Sequence, residues 1–472
     1  MTLFAFLCYV ILIFGIGYLA SRRIKKTAED VHLSGREHGT WTSALSASAS
    51  TESGFVLLGM VGMGYAVGLN ALWIVPAGML GYWINWHLLG QKLRARSLQT
   101  GAITMPDLIR RSTGDTRISR IAAILASILA IIFLTAYTTA QFSAAGKALS
   151  TQFGTSHALG VMLGALLVII YSGMGGFRAV AWSDNLQAAM MAFCLIVVPA
   201  IAIASAGGFG AVFDALRQID PNLVDAFHGA SGLGMIAATV PWLMLALAYP
   251  GQPHAIARLM AAKDTVRFGN AYGIAAVWFA VVYTGAVLLG MTARAAFSDL
   301  GGIGADPETA LPVLAEHFLP AVIVGITVAA IIAAITSTAD STLLSAASTV
   351  TLDGVERTAL KNRFDIVWLM RFTILILGGI AAWLALDEEG VVFHLVLYAW
   401  SGLGASLGPA VLYCALARRP QAPSALAGLV VGGTLAFVLH GYDYDLLIGF
   451  TGGAIAIGIM HYLVTTLNGS EE

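Results

Sequence analysis

The sequence predicts an all-α integral membrane protein of about thirteen transmembrane helices. Three observations carry this. The first is composition: 58% of the 472 residues are hydrophobic and 11% charged, with a mean hydropathy of +0.81, whereas soluble domains carry about 25% charged residues. The second is that apolar windows of about 18 residues or more, the length that crosses roughly 30 Å of hydrocarbon, recur along the chain. No long segment alternates polar and apolar residues, which argues against a β-barrel. The third is the distribution of Lys and Arg, which sorts the loops into two sides. A net charge of −1 gives no nucleic-acid reading. Cys8, Cys194 and Cys414 lie in separate apolar stretches and read as buried small hydrophobes rather than a disulfide or metal framework.

The predicted spans are 2–20, 39–67, 70–91, 119–147, 156–175, 181–206 and 235–257, followed by 268–293, 319–349, 366–386, 391–416, 422–440 and 446–466. The first, TLFAFLCYVILIFGIGYLA, is followed by SRRIKK. A cleaved signal peptide has the reverse order of charge and apolar core, so this reads as a retained helix. With the N-terminus outside, the cytoplasmic stretches hold Arg22, Arg23, Lys25, Lys26 and Arg36, then the cluster from Lys92 to Arg120, then Arg178. Arg258, Lys263, Arg267, Arg357, Lys361, Arg363, Arg371, Arg418 and Arg419 complete the set. Of the 25 Lys and Arg, only Lys147, Arg217 and Arg294 fall outside, together with the acidic loops GADPETALPVLAEHF and LDEEG. The stretch TMPDLIRRSTGDTRISR reads as a short surface helix and turn, and the tail NGSEE is too short for a role of its own.

Two spans look interrupted. ALSASASTESGFVLLG, residues 44–59, sets four serines, a threonine and Glu52 into apolar surroundings. LALAYPGQPHAIARLM places Pro250, Gly251 and Pro253 in mid-run, where proline removes a donor and crowds the preceding turn. Irregular backbone at membrane depth survives only where protein or a watery cavity satisfies it. The interruptions lie in the second and seventh spans, five helices apart, as in transporters built from inverted repeats with the substrate between their broken helices. The chain then divides into an N-terminal helix and loop (1–37), a first inverted repeat (38–206), a second (233–416) and two C-terminal helices (417–472).

Carboxylates at depth cost about 2.5–3.5 kcal/mol each on insertion scales. Glu52, Asp184 and Asp340 are the candidates; an interfacial position for Asp184, as an acid at a helix N-terminus, is the alternative. Ser337, Asp340 and Ser341 share one helical face in ITSTADSTLLSAAS. A hydroxyl face with a carboxylate and no nearby cation looks like a site for a hard cation, completed by carbonyls from an unwound stretch near residue 49. His254 reads as a helix residue on the cytoplasmic side. No HExxH motif is present and no nucleophile elbow is read, which leaves no enzymatic reading.

SALSASASTESGFVLLG, YSGMGGFRAVAWSDNLQ, YPGQPHAIARLMAA and ITSTADSTLLSAAS, in this order and spacing, resemble signature stretches of the sodium:solute symporter family, and the sodium/proline branch most. The resemblance covers most of the chain. It implies a thirteen-helix, five-plus-five inverted-repeat fold and a main sodium site made of the carbonyls of Ala49, Glu52 and Ala334 with the hydroxyls of Ser337 and Thr338. A second cation or proton site is implied at Asp184, Asp340 and Ser341. On the substrate side it implies Thr51, Glu52, Phe55, Tyr137, Leu245, Tyr249, Gln252 and Pro253. Tyr137, Tyr249 and Pro253 match the proline pattern. Thr51 stands where proline symporters have Asp, Glu52 where they have Met, and Phe55 and Leu245 where they have Trp. One carboxylate is thus displaced by one position, about 100° around a regular helix.

The resemblance implies a secondary active transporter that carries a small polar, amino-acid-like solute, related to proline but not proline, together with sodium by alternating access. Glu52 would meet the substrate's amino group, replace the lost Asp or carry a coupling proton. Proton coupling in the same fold and a transporter-like sensor domain are the alternatives. The expected partners are solute, sodium and the lipid bilayer, with no organic cofactor, nucleic acid or obligate protein partner. The expected location is a bacterial inner membrane, with the N-terminus outside and the C-terminus in the cytoplasm.

Overall fold

The computed structural model describes residues 2–23, 27–297, 306–355, 365–387, 391–442 and 444–469, and these are helical throughout apart from turns and one isolated bridge between His38 and Ala262. Among them, ten helical segments are long and apolar enough to cross a membrane. Lys25, Lys26, Arg357, Lys361 and Arg363, residues 304–305 and 388–390 of the acidic loops, and the last three residues of the tail lie outside the described residues.

The chain begins with α1 (Thr2–Ser21) and a short α2 (Ala28–Leu33). The second predicted span is two helices, α3 (Thr40–Thr51) and α4 (Met60–Val67), joined by a widened turn at Phe55–Gly59. The third is α5 (Ile74–Trp83), which runs through a wide-turn stretch at Ile84–Gly90 into α6 (Gln91–Thr100). The amphipathic α7 (Met105–Ser112) precedes α8 (Arg117–Phe153), whose start is fixed by reciprocal capping between Thr116 and Ser119. The fifth and sixth predicted spans lie together in α9 (His157–Ser205), which bends at Gly176, where φ 56 and ψ −156 suit only glycine.

The second half begins with α10 (Phe209–Ile219), then α11 (Gly234–Leu243), a tight-turn stretch at Met244–Gly251 and α12 (Pro253–Met260). It continues through α13 (Phe268–Ala296), α14 (Ala310–Phe318), α15 (Ala321–Ser348), α16 (Ile366–Leu384) and α17 (Val392–Leu416). It closes with α18 (Ala422–Val438) and α19 (Asp445–Gly469). Helices α2, α6, α10 and α14 were not separated by hydropathy, because each is too short or too polar to form an apolar window.

At the centre, α15 is enclosed by α1, α3, α8, α9, α12 and α16. The stretch before α12 packs on α17. Small residues permit these close crossings. A Cβ at Gly290 of α13 would lie 2.0 Å from the Val61 carbonyl oxygen of α4, and one at Gly251 would lie 2.3 Å from that of Leu403. Leu3, Phe4, Ile11, Trp368 and Trp383 are among the large apolar residues exposed on the outer helices, as a lipid-facing surface requires. Cys194 and Cys414 are buried as expected, but Cys8 is exposed because its helix packs through other faces.

Candidate functional site

The site forms where the two interrupted spans meet α15. Helix α3 stops at Thr51, and Glu52 is extended, with φ −94 and ψ 98. A helix end leaves carbonyls without intrahelical donors, and side chains from other helices satisfy them here. Ser337 Oγ donates to the Ala49 carbonyl at 2.8 Å and lies 2.9 Å from that of Ala334. Thr338 Oγ1 approaches Ala49 O at 3.5 Å, and Tyr137 Oη donates to Thr51 O at 3.1 Å. The first amide beyond the break, Gly54 N, donates to Gln141 Oε1 at 3.0 Å. Ala49, Ala334, Ser337 and Thr338, predicted from distant stretches, therefore share one cluster of hard oxygens.

The second break mirrors the first. Gln252 is extended (φ −85, ψ 103), and Pro253 opens α12, where its missing amide costs nothing. Asn85 Nδ2 donates to Tyr249 O at 3.1 Å, and Gln252 Nε2 donates to Ala248 O at 3.1 Å.

Glu52 supplies backbone at the break and sends its side chain elsewhere. Its carboxylate is fully buried, with Thr51 Oγ1 at 3.2 Å, Tyr82 Oη at 3.1 Å and a short hydrogen bond from Tyr283. Tyr283 also lines a small cavity of about 20 Å³ with Phe55, Leu245, Tyr249 and Trp400, space for scarcely more than one water. The aromatic walls continue outward. Tyr249 meets Trp400 edge-on at 5.0 Å, Tyr82 lies 5.2 Å from Tyr249, and Phe55 stacks on Phe393 at 5.1 Å. Phe55, Leu245 and Tyr249 are thus brought together, with Glu52 joined to them through Tyr283. Pro253 instead lines a separate cavity of about 30 Å³ with His32, Thr104 and Ser348. Thr51, Tyr137 and Gln252 belong to the breaks rather than the cavity wall.

One expectation is overturned. The face of Ser337, Asp340 and Ser341 reads in sequence as having no nearby cation, with Arg258 counted among cytoplasmic charges, yet the Arg258 side chain is fully buried against Ser341 and Asp184. Its guanidinium donates to Asp184 Oδ2 at 3.2 Å, Ser341 Oγ at 2.5 Å, Ser46 Oγ at 3.2 Å and the His254 carbonyl at 2.8 Å, and stacks 4.9 Å from the Phe177 ring. The reason is geometric: α12 runs inward from the break against α3 and α15, so its Arg points into the bundle. Asp184 is fully buried, with Ser46 Oγ at 2.6 Å. Among the described residues Asp184 Oδ1 and Asp340 Oδ2 have no hydrogen-bond partner. Two carboxylates therefore face one guanidinium. His254, expected as a helix residue on the cytoplasmic side, lies in α12 and is fully buried against Tyr137 at 5.8 Å.

Tyr82, Tyr283, Gln141, Trp400 and Arg258 escaped the sequence reading. The aromatic residues and Gln141 lie in ordinary apolar helices with no local signal. Arg258 carried one, a charge only a few residues from the break.

The comparisons with known proteins identify the family and the fold. Residues 32–432 match the model of the sodium:solute symporter family. The sodium/proline symporter of Escherichia coli (strain K12) is 34% identical over 469 residues, covering 96% of this chain and 92% of that protein. The osmoregulated proline transporter OpuE of Bacillus subtilis (strain 168) is 33% identical, covering 97% and 93%. A sodium-coupled sialic acid symporter, solved in a substrate-bound outward-open state, shares the fold with a TM-score of 0.80 at 18% identity over 98% of both chains. The chain belongs to the sodium:solute symporter family and is a membrane protein that couples solute transport to sodium.

Proposed function

We propose that this protein imports a small amino-acid-like solute, related to proline but distinct from it, together with sodium. The observation that carries the reading is the pair of hydroxyls, Ser337 and Thr338, directed at the carbonyl freed by the break at Ala49. The main sodium site comprises the carbonyls of Ala49, Glu52 and Ala334 with those hydroxyls. A sodium ion there draws α3 toward α15 and orders the break, which adjoins the solute cavity. The membrane potential contributes about 2.3 kcal/mol per charge per 100 mV to sodium entry.

Glu52 is the anionic partner of the solute's amino group, supported by its burial and by the bond to Tyr283 in the cavity wall. Phe55, Leu245 and Tyr249 enclose the apolar part of the solute. Thr51, Tyr137, Gln252 and Pro253 hold the two breaks and transmit sodium occupancy to the pocket. Asp184, Asp340 and Ser341 form a second cation locus, already half neutralised by Arg258. In this reading residues 38–206 and 233–416 are the inverted repeats, flanked by 1–37 and 417–472. The protein lies in a bacterial inner membrane with its N-terminus outside, which places the loops rich in Lys and Arg in the cytoplasm.

Uptake into proteoliposomes with an imposed sodium gradient tests the proposal. Wild type accumulates solute only with sodium. Ser337→Ala and Thr338→Ala each raise the sodium concentration for half-maximal uptake by about tenfold or more, the scale of one lost contact to a charge. Unchanged sodium dependence in both variants would sink the site. Solutes are screened first by thermal shift across amino acids, betaines and carboxylates, with and without sodium.

A further inference from the structure

A cationic cavity lies away from the transport site, where α5 passes through Ile84–Gly90 into α6 and where α13 begins. Its volume is about 500 Å³, and its lining includes Trp86, His87, Arg94, Lys263, Arg267 and Phe268. Arg94 is the anchored member: its Nε donates to the Ala262 carbonyl at 2.5 Å and its Nη2 pairs with Asp264 at 2.5 Å. Lys263 and Arg267 are exposed and have no ion-pair partner among the described residues. With Asp264 the lining carries a net charge of +2 from Arg94, Lys263, Arg267 and Asp264.

The position distinguishes this cavity from a general basic surface. Apolar α13 starts at Phe268, immediately after Arg267, and the long apolar run that begins at Phe55 becomes basic at Lys92. Both changes mark a membrane–water boundary. Aromatic side chains ring the same level: exposed Trp83 stacks on His87 at 6.2 Å, His87 meets Tyr272 edge-on at 4.7 Å, and Trp86 lies 6.0 Å from Phe268. Interfacial aromatic residues and unpaired cations around an open cavity match a lipid with a phosphate headgroup and two acyl chains.

We propose that this cavity binds the headgroup of an anionic phospholipid, with Lys263 and Arg267 contacting the phosphate and Trp83 flanking the glycerol and upper chains. The cavity is linked through the backbone to the second break. His38 and Lys263 are joined through the Lys263 amide and the His38 carbonyl at 2.9 Å, and α12 leads from Ala262 back to the second break. A bound lipid therefore braces the inner end of α12.

The test uses the full-length protein in nanodiscs and neutral detergent, with phosphatidylglycerol as the probe, phosphatidylcholine as the neutral control and inorganic phosphate as the headgroup alone. Native mass spectrometry and thermal shift are the readouts. Wild type is expected to retain phosphatidylglycerol in preference to phosphatidylcholine and to gain thermal stability from it but not from inorganic phosphate. Lys263→Gln with Arg267→Gln is expected to weaken retention roughly thirty-fold, given the usual contribution of each surface cation. The charge-preserving pair Lys263→Arg with Arg267→Lys is expected to retain it. Equal retention by wild type and the glutamine pair, equal retention of the two lipids, or equal stabilisation by inorganic phosphate overturns the proposal. Loss in the charge-preserving pair overturns it too. Neither residue belongs to the transport site, so failure here leaves the sodium reading untouched.

Discussion

Glu52 concentrates the residue-scale argument. A buried carboxylate held by two tyrosines and a threonine is satisfied in its charged form by hydroxyl donors alone, and a substrate cation has the most to gain from it. Glu52→Gln keeps the shape and removes the charge. It is expected to weaken uptake of an ammonium-bearing solute by tenfold or more while leaving sodium-induced thermal stabilisation in place, as measured by parallel uptake and melting assays. Loss of both together would move Glu52 to the ion site. Arg258 poses the opposite problem. Arg258→Leu leaves Asp184 buried without its cation and is expected to cost about 3–5 kcal/mol. Arg258→Leu with Asp184→Leu is expected to recover part of that loss, and a thermal double-mutant cycle measures how much.

At the scale of elements, the breaks work because their loose backbone groups are satisfied from other helices. Gln141 on α8 accepts the Gly54 amide at 3.0 Å. Gln141→Leu orphans that amide at depth and is expected to destabilise the protein by about 1–3 kcal/mol, read as a lower melting temperature and a larger sodium stabilisation. Gly251 has a different constraint. Its α hydrogens face the Leu403 carbonyl, and an added Cβ at 2.3 Å would force α17 away. Gly251→Ala is expected to abolish uptake, even where the protein still inserts, as judged by expression in the membrane fraction. The breaks themselves were legible in the sequence, from serines and Glu52 in one apolar run and Pro250, Gly251 and Pro253 in the other. Their satisfying partners were not, since Gln141, Asn85 and Tyr137 lie on helices whose local pattern is simply apolar.

Across the whole molecule, both ends of the bundle are tied by polar contacts between distant parts of the chain. At one end Lys147 pairs with Asp306 at 2.8 Å and Glu308 at 2.6 Å, and Glu308 accepts the Val392 and Phe393 amides that open α17. At the other, Arg36 joins Glu29, Ser97, Ala102 and Met260, while His32 Nδ1 lies 2.7 Å from Ser348 Oγ. Burial pushes His32 down to about 3, and burial with nearby Arg258 does the same for His38. The unfolded chain binds protons on these rings below about pH 6.5 while the folded one stays neutral. Stability is therefore fully present above that pH and falls from there toward pH 3, by up to about 1.4 kcal/mol per unit for each ring. A melting series from pH 7.5 to 5 should show the fall, and His32→Gln should make it shallower, with the His38 share remaining.

Length, hydropathy and the placement of Lys and Arg by themselves determined that this is a helical membrane protein with two interrupted spans, because crossing hydrocarbon imposes a local pattern that any single span must show. The motif stretches also marked Ser337, Thr338, Ala49 and Asp184 as candidates for the proposed site. Only the tertiary structure decided what surrounds them: that Glu52 turns to Tyr82 and Tyr283 rather than to the hydroxyl cluster, and that Arg258 is buried beside the carboxylate pair. Those choices depend on how broken helices point their side chains across the bundle. A one-dimensional pattern of polarity records that a charge is present, but not which distant partner neutralises it.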